Sequence, residues 1–214
     1  YCQKNKIKTI LTAHNLEDQV ETFFIRLSRG SGLKGLSSMR YSSNLENNVK
    51  LIRPLLDTKK KYLVKITEKM FGKYINDPSN LDKKFLRTKI RNLKSSLEKS
   101  GINYDQIIKS IHNLASSNDI LDSYYSQIFK KVVKASSKQI LINLDKFGKY
   151  ENEIKIWIIN SCIKILKKNY YNPRTKKVIY LIGKLGSKKF KKSTLGGCVF
   201  EKNDPLLSIK LEKK

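Results

Sequence analysis

Residues 7–13, IKTILTA, form a short apolar run rich in β-branched side chains, and a helical repeat begins almost at once behind them. A run of that length and composition suits a buried parallel strand. Val20, Phe23, Phe24 and Leu27 then recur at helical spacing, and Gly30 is expected to end the helix. A strand, a loop and an amphipathic helix in that order make part of a βα unit. In parallel α/β sheets ligands bind at the carboxyl ends of the strands, and His14 to Gln19 fall at such an end.

The turn itself, TAHNLEDQVET, places His14, Glu17, Asp18 and Glu21 within two helical turns. Amide donors at a helix start favour phosphate, and a carboxylate there can hold the magnesium that neutralises it. Asn15 with Asp18 three residues on also has the form of a capping box, and acids belong in a first turn for electrostatic reasons alone. Both readings stand on the residues. Arg29 to Gly32, RGSG, reads likewise as a helix carboxyl cap or as a loop whose Gly30 and Gly32 let a phosphate or ribose approach the backbone.

Further along, VKLIRPLL (49–56) is expected as an edge or terminal strand, because Pro54 cannot donate to a ladder. Thr58 is expected to cap a helix through TKKKYLVKITEKMF that stops at Gly72, and KYINDPSN then reads as a linker. From Leu81 to about Lys99 the pattern is helical again, with Phe85, Leu86, Ile90, Leu93 and Leu97 on one side. A long helix carrying Ile107, Ile111, Leu114, Leu121, Tyr124 and Ile128 follows, with a seam expected between about Lys131 and Lys138. The tail offers a strand at QILINLD, helices around EIKIWIINSCIKILKK and PRTKKVIYLIGKL, and a closing pair of strands at TLGGCVFEKN and PLLSIKLE. The expected organisation is residues 1–99 as a first domain, 100–137 as a helical connecting region and 138–214 as a small α+β module.

Composition narrows the partners. The 214 residues carry 45 Lys and Arg against 18 acids, a formal net charge of +27. A polyanionic partner, nucleic acid first, explains such an excess, although a lysine-rich proteome would also inflate it. No apolar run approaches the roughly twenty residues needed to span a bilayer, so no membrane partner is expected and the expected compartment is the cytoplasm. Cys2, Cys162 and Cys198 are far apart with no CxxC, which indicates neither a disulfide framework nor a zinc site. His112 and Trp157 read as structural residues, and Tyr170 and Tyr171 as residues that either pack or stack on RNA bases.

TAHNLEDQVETFFIRLSRGSGLKGLSSM resembles the segment of the tRNA(Ile)-lysidine synthase family in which a TAHxxxDQxET turn leads into an RGSGxxGLxxM loop. IRPLL (52–56) and NDPSNLDKKFLRTKIR (76–91) fit the same family in the same order, and TLGGCVF is similar, more weakly, to the carboxyl module of some members. The resemblance implies an α/β fold: a partial Rossmann-like N-type ATP pyrophosphatase (PP-loop) domain, then a helical linker and a small α+β module. It implies an enzyme that uses ATP and Mg2+ to adenylate the wobble cytidine of a CAU-anticodon tRNA(Ile), after which free L-lysine displaces AMP to give lysidine and decoding changes from AUG to AUA. Whether it acts as a homodimer is left open.

Carried over by motif, the resemblance makes Asp18 the acid that helps hold magnesium and phosphate, and His14 a catalytic residue lining the ATP site. Arg29, Gly30 and Gly32 fall in the loop beside the nucleotide, and Arg87, Lys89 and Arg91 on a helix face that contacts tRNA phosphates. The chain departs from the family in having Glu17 and Asp18 before the glutamine and Arg87–Thr88 where the family has RN. The family's SGGxDS phosphate loop lies upstream of the TAH strand and does not occur in these residues, and the chain opens YCQKNKIK without an initiator methionine. The expectation is that the amino terminus is missing, and that this polypeptide alone does not bind ATP productively whereas the complete gene product does. The alternatives are another PP-loop tRNA-modifying enzyme and a non-catalytic tRNA-binding remnant. Thiolation of cytidine is disfavoured because it relies on paired cysteines.

Overall fold

The structure, a computed structural model, describes residues 1–45, 49–74, 82, 84–136, 138–167, 172–187 and 189–212. The expected segments DPSN (77–80), Tyr170 and Tyr171 lie outside these residues. The chain divides into two compact units, Tyr1–Ile120 and Leu121–Lys214. The division falls inside a long helix rather than at 131–138.

The first unit opens with β1 (Thr9–Leu11), followed by α1 (Leu16–Leu27), α2 (Leu33–Leu36), β2 (Ser42–Asn44), β3 (Lys50–Ile52) and α3 (Lys60–Phe71). α4 (Leu86–Asn92), α5 (Lys94–Lys99) and the first part of α6 (Tyr104–Val132) complete it. Its described sheet has the order β1-β3-β2, with β1 parallel to β3 in the register Ile10 opposite Leu51, and β2 antiparallel to β3. The expected βα unit is present, yet β1 is not buried: Leu11 is 65% exposed. As the end strand of the described order it has a neighbour on one side only.

Three local expectations are corrected. β3 is the middle strand, not an edge, because Pro54 lies two residues past its last paired position and takes nothing from the ladder. Thr58 does not cap α3; Lys59 occupies that place without a side-chain bond, and the Lys60 amide donates instead to Glu17 Oε2 at 2.8 Å. The expected helix from Leu81 to Lys99 is broken at Leu93 into α4 and α5, and Phe85 and Leu93 are more than half exposed. Other boundaries match. Gly72 terminates α3 in a left-handed conformation, φ 72°, which a residue without Cβ adopts freely. α1 ends slightly before Gly30, capped at Ser28.

The second unit follows with β4 (Val133–Ala135), β5 (Gln139–Asn143), α7 (Leu144–Gly148), α8 (Asn152–Lys167), α9 (Thr175–Leu185), β6 (Lys192–Leu195), β7 (Cys198–Asn203) and β8 (Leu206–Leu211). Its described strands form one antiparallel sheet of order β4-β5-β8-β7-β6. The closing pair of strands is therefore three: Gly196 and Gly197, both with positive φ, turn TLGGCVF into its own hairpin. Alternation along β5, with Ile140 and Ile142 fully buried, turns one sheet face toward α8 and α9. Ile158, Ile159, Cys162, Val178, Phe200, Leu207 and Ile209 fill the space between. Trp157 packs half-buried against Tyr125 and Phe129, as a structural aromatic should. Burial pushes the Cys162 thiol up, which suits an inert core cysteine.

Candidate functional site

The site is built where α1 begins. Asn15 and Asp18 form the reciprocal capping box: the Asp18 amide donates to Asn15 Oδ1 at 3.1 Å, and the Asn15 amide donates to Asp18 Oδ2 at 3.0 Å. Capping occupies one oxygen of Asp18 and leaves Oδ1 directed elsewhere, 3.5 Å from Arg87 Nη2 and 4.0 Å from Arg91 Nη2. His14 stands just ahead, half-buried, its Nδ1 2.9 Å from Thr12 Oγ1. The Leu16 amide donates to the Thr58 carbonyl at 3.1 Å, so α1 is tied at its first turn to the segment that follows β3.

One turn further in, Glu21 is 1% exposed. A carboxylate so removed from water needs cationic partners. Arg91 donates from Nε at 2.5 Å and from Nη2 at 3.2 Å, a two-pronged arrangement that fits the guanidinium fork. Arg87 Nε lies 2.8 Å from Glu21 Oε2 as an ion-pair contact whose N–H is not aimed at the oxygen. The hydrogen bond to Glu21 holds the Arg91 pKa above its ordinary value. Arg87 and Arg91 are four residues apart on α4 and so share one face, while Lys89 between them points away and is exposed.

A cavity of about 130 Å³ opens beside this pair, lined by Asn15, Glu17, Asp18, Glu21, Lys60, Arg91, Lys94 and Tyr104. Its wall carries carboxylates on one helix and cations on three others. Tyr104 is 7% exposed, and burial followed by the charge of Glu21 pushes its hydroxyl up to about 12. It stays neutral, a donor and acceptor at the cavity floor.

The structure brings Asp18, Arg87 and Arg91 together around Glu21. Arg29, Gly30 and Gly32 stand exposed beyond the other end of α1, about 16 Å along its axis from Asp18. The residues just past that loop are held by Arg26, whose Nη1 donates to the carbonyls of Gly35 and Ser38 at 2.8 and 2.9 Å. Burial lowers the Arg26 pKa, with nearby Arg53 adding to the effect. Gln19, 3% exposed, exchanges two 2.9 Å bonds with the Met39 backbone. Gly35 is required sterically, since a Cβ there would sit 2.6 Å from Ser31 Cβ.

Sequence reasoning misses Gln19 and Arg26, and it places Glu21 only among the acids at the start of α1, without its arginine partners. The available signal for Glu21 was two arginines four apart in a later helix and two acids three apart in α1, a pairing that only the fold completes. Among the described residues no three His, Cys, Asp or Glu side chains group as a metal site.

Comparison with known proteins bears on this part of the chain. Residues 1–96 match the family model of the PP-loop domain. Those residues are similar to a PP-loop domain. Along its whole length the chain is a homologue of proteins named tRNA(Ile)-lysidine synthase. It is 32% identical to that of Wolbachia sp. subsp. Brugia malayi over 217 residues, covering 100% of this chain and 50% of the relative. For the proteins of Orientia tsutsugamushi and Rickettsia felis the identities are 35% and 31%, with 94% and 100% of this chain and 47% and 50% of the relatives covered. The chain thus spans about half the length of the curated relatives it matches. Within residues 1–96 the capping-box residues Asn15 and Asp18 and the buried Glu21 all belong to the TAHNLEDQVET stretch, so that stretch builds the fold and lines the cavity with the same residues. No helix among the described residues is long and apolar enough to cross a membrane.

Proposed function

We propose that this chain is part of an ATP-dependent RNA-modifying ligase that joins L-lysine to the wobble cytidine of CAU-anticodon tRNA(Ile). The observation that carries the reading is the cavity at the start of α1, where Asp18 and Glu21 face Arg91, Lys60 and Lys94. A pocket with both signs of charge within a few ångströms matches a zwitterion such as a free amino acid, whose ammonium meets carboxylates and whose carboxylate meets cations. The Arg87–Arg91–Glu21 cluster fixes those groups before a ligand arrives, which lowers the ordering cost of binding.

ATP is the second substrate of this reading, on the carboxyl-end side of β1, with His14 beside it and the Arg29–Gly30–Gly32 loop approaching the nucleotide. Mg2+ fits the donor chemistry in one respect: Asp18 offers a hard carboxylate oxygen next to the helix start and would hold the ion there. Bound there, it would neutralise charge on the phosphates as pyrophosphate departs. The cap fixes Asp18 Oδ2 and leaves Oδ1, 3.5 Å from Arg87 Nη2, as the oxygen that would meet the ion. Lys89 and the solvent-facing edges of Arg87 and Arg91 supply phosphate contacts for the tRNA, giving affinity and salt sensitivity without base choice.

The test is lysine incorporation into CAU-anticodon tRNA(Ile), run on this chain and on the chain carrying an SGGxDS segment ahead of residue 1. Incorporation by the extended form that Asp18→Asn abolishes supports the ligase. Binding of tRNA by both forms without incorporation by either supports a tRNA-binding protein instead, the second reading, which the net charge of +27 favours.

A further inference from the structure

We infer that the outer face of α9 is a stacking surface for a single-stranded stretch of RNA. The inference deepens the tRNA reading above and rests on it for the choice of polyanion.

Residues 154–200 contain no acid and 12 Lys or Arg, a run of 47 positions without a compensating charge. α9 lies in the middle of it. Val178, Leu181 and Leu185 are buried in the unit's core, which leaves Lys176, Tyr180 and Lys184, spaced by four, as one stripe on the opposite side. Tyr180 is 65% exposed and Ile179 beside it 48%. Lys184 Nζ sits 4.4 Å from the centre of the Tyr180 ring. An aromatic ring in the centre of a basic helical face adds nothing to the core; it offers a nucleobase a π-surface and places ammonium groups one turn to either side for the flanking phosphates.

Gly183 is an independent sign. Glycine inside an exposed helix costs about 1 kcal/mol relative to alanine. No packing demands it here, for a Cβ at Gly183 would meet nothing within 4 Å. It lies on the same outer face, between Ile179 and Tyr180 one turn back, and keeps the approach to the helix backbone open beside the ring. Folding has no use for that gap, whereas a flat ligand does.

The experiment measures binding of the 214-residue chain to CAU-anticodon tRNA(Ile) and to a short oligouridylate by fluorescence anisotropy across a salt series. Tyr180→Ala is expected to weaken both by about 5- to 100-fold, and Tyr180→Phe to stay within about twofold. Gly183→Leu should raise the melting temperature and yet weaken binding, an outcome that a purely structural glycine would not give. Lys176→Gln with Lys184→Gln should make the log–log salt slope shallower by about 1.5. Tyr180→Ala and Gly183→Leu chains that bind like the parent overturn the inference. So does a Tyr180-dependent retention on phosphatidylserine vesicles with RNA binding unchanged, which would assign the face to lipid. A parent chain that binds neither RNA overturns both this inference and the tRNA partner; oligouridylate binding that needs Tyr180, with no lysine incorporation by any form, leaves the surface standing and removes only the ligase.

Discussion

The two units bury different things. In the second unit apolar side chains dominate the centre: Ile140, Ile142, Ile158, Ile159, Phe200, Leu207 and Ile209 are each fully buried, with Ser208 as a buried polar side chain beside them. In the first, the compact apolar group is Leu16, Val20, Tyr104, Ile107, Ile108 and Ile111, and next to it lie the buried polar side chains Gln19, Glu21, Ser38 and Thr88. Apolar burial is non-directional and tolerates small shifts, whereas a buried carboxylate or amide holds its partner to a few tenths of an ångström. The first unit thereby positions loops and charges around a cavity, and the second is a firm body whose chemistry is carried on its surface.

That contrast can be broken most forcefully in the second unit. Phe200→Ala should cost about 3–5 kcal/mol, read as a shift of the denaturant midpoint followed by Trp157, the chain's one tryptophan. A loss under about 1 kcal/mol would mean that the core is loosely packed and the contrast false. In the first unit Glu21→Gln should cost about 1.5–3 kcal/mol, because Arg87 and Arg91 lose the charge that they surround. Faster hydrogen exchange confined to α1 and α4 is the expected signature. Gln19→Ala comes next, at about 1–2 kcal/mol, with the segment around Met39 becoming the preferred site of limited proteolysis.

A further effect is in the pH dependence. The folded Tyr104 pKa is raised from 10.0 to about 12, so its contribution is fully present below pH 10 and fades as pH rises toward about 12. Ultraviolet titration of tyrosinate should show one late-titrating group that Tyr104→Phe removes. Its absence would mean that the cavity floor is wetter than described.

Local chemistry made much of this legible. The Asn15–Asp18 box, the Gly72 stop and the amphipathic core faces of α8 and α9 each depend on residues within a few positions of one another. What failed to show depends on distance along the chain. α3 takes its cap from Glu17, 43 residues away, so Thr58 looked like the better candidate. Glu21 is buried against Arg91, 70 residues on, and without that partner it reads as one more acid of the cluster at the start of α1. Pro54 suggested an edge strand because its effect on a ladder is local, while the end of the ladder at Ile52 is set by pairing with β1 and β2. The same limit applies past the RGSG loop: Arg26 holds Gly35 and Ser38 through carbonyls nine and twelve residues along the chain.

The account turns on Glu21 serving the ligand cavity as well as the fold. The direct measurement is lysine incorporation into CAU-anticodon tRNA(Ile) by the SGGxDS-bearing chain with Glu21→Gln, at a temperature where circular dichroism shows the variant folded. A loss of about 100-fold or more with tRNA affinity unchanged is the predicted result. Incorporation at the parental rate would contradict it, and would leave the buried carboxylate as a structural anchor alone.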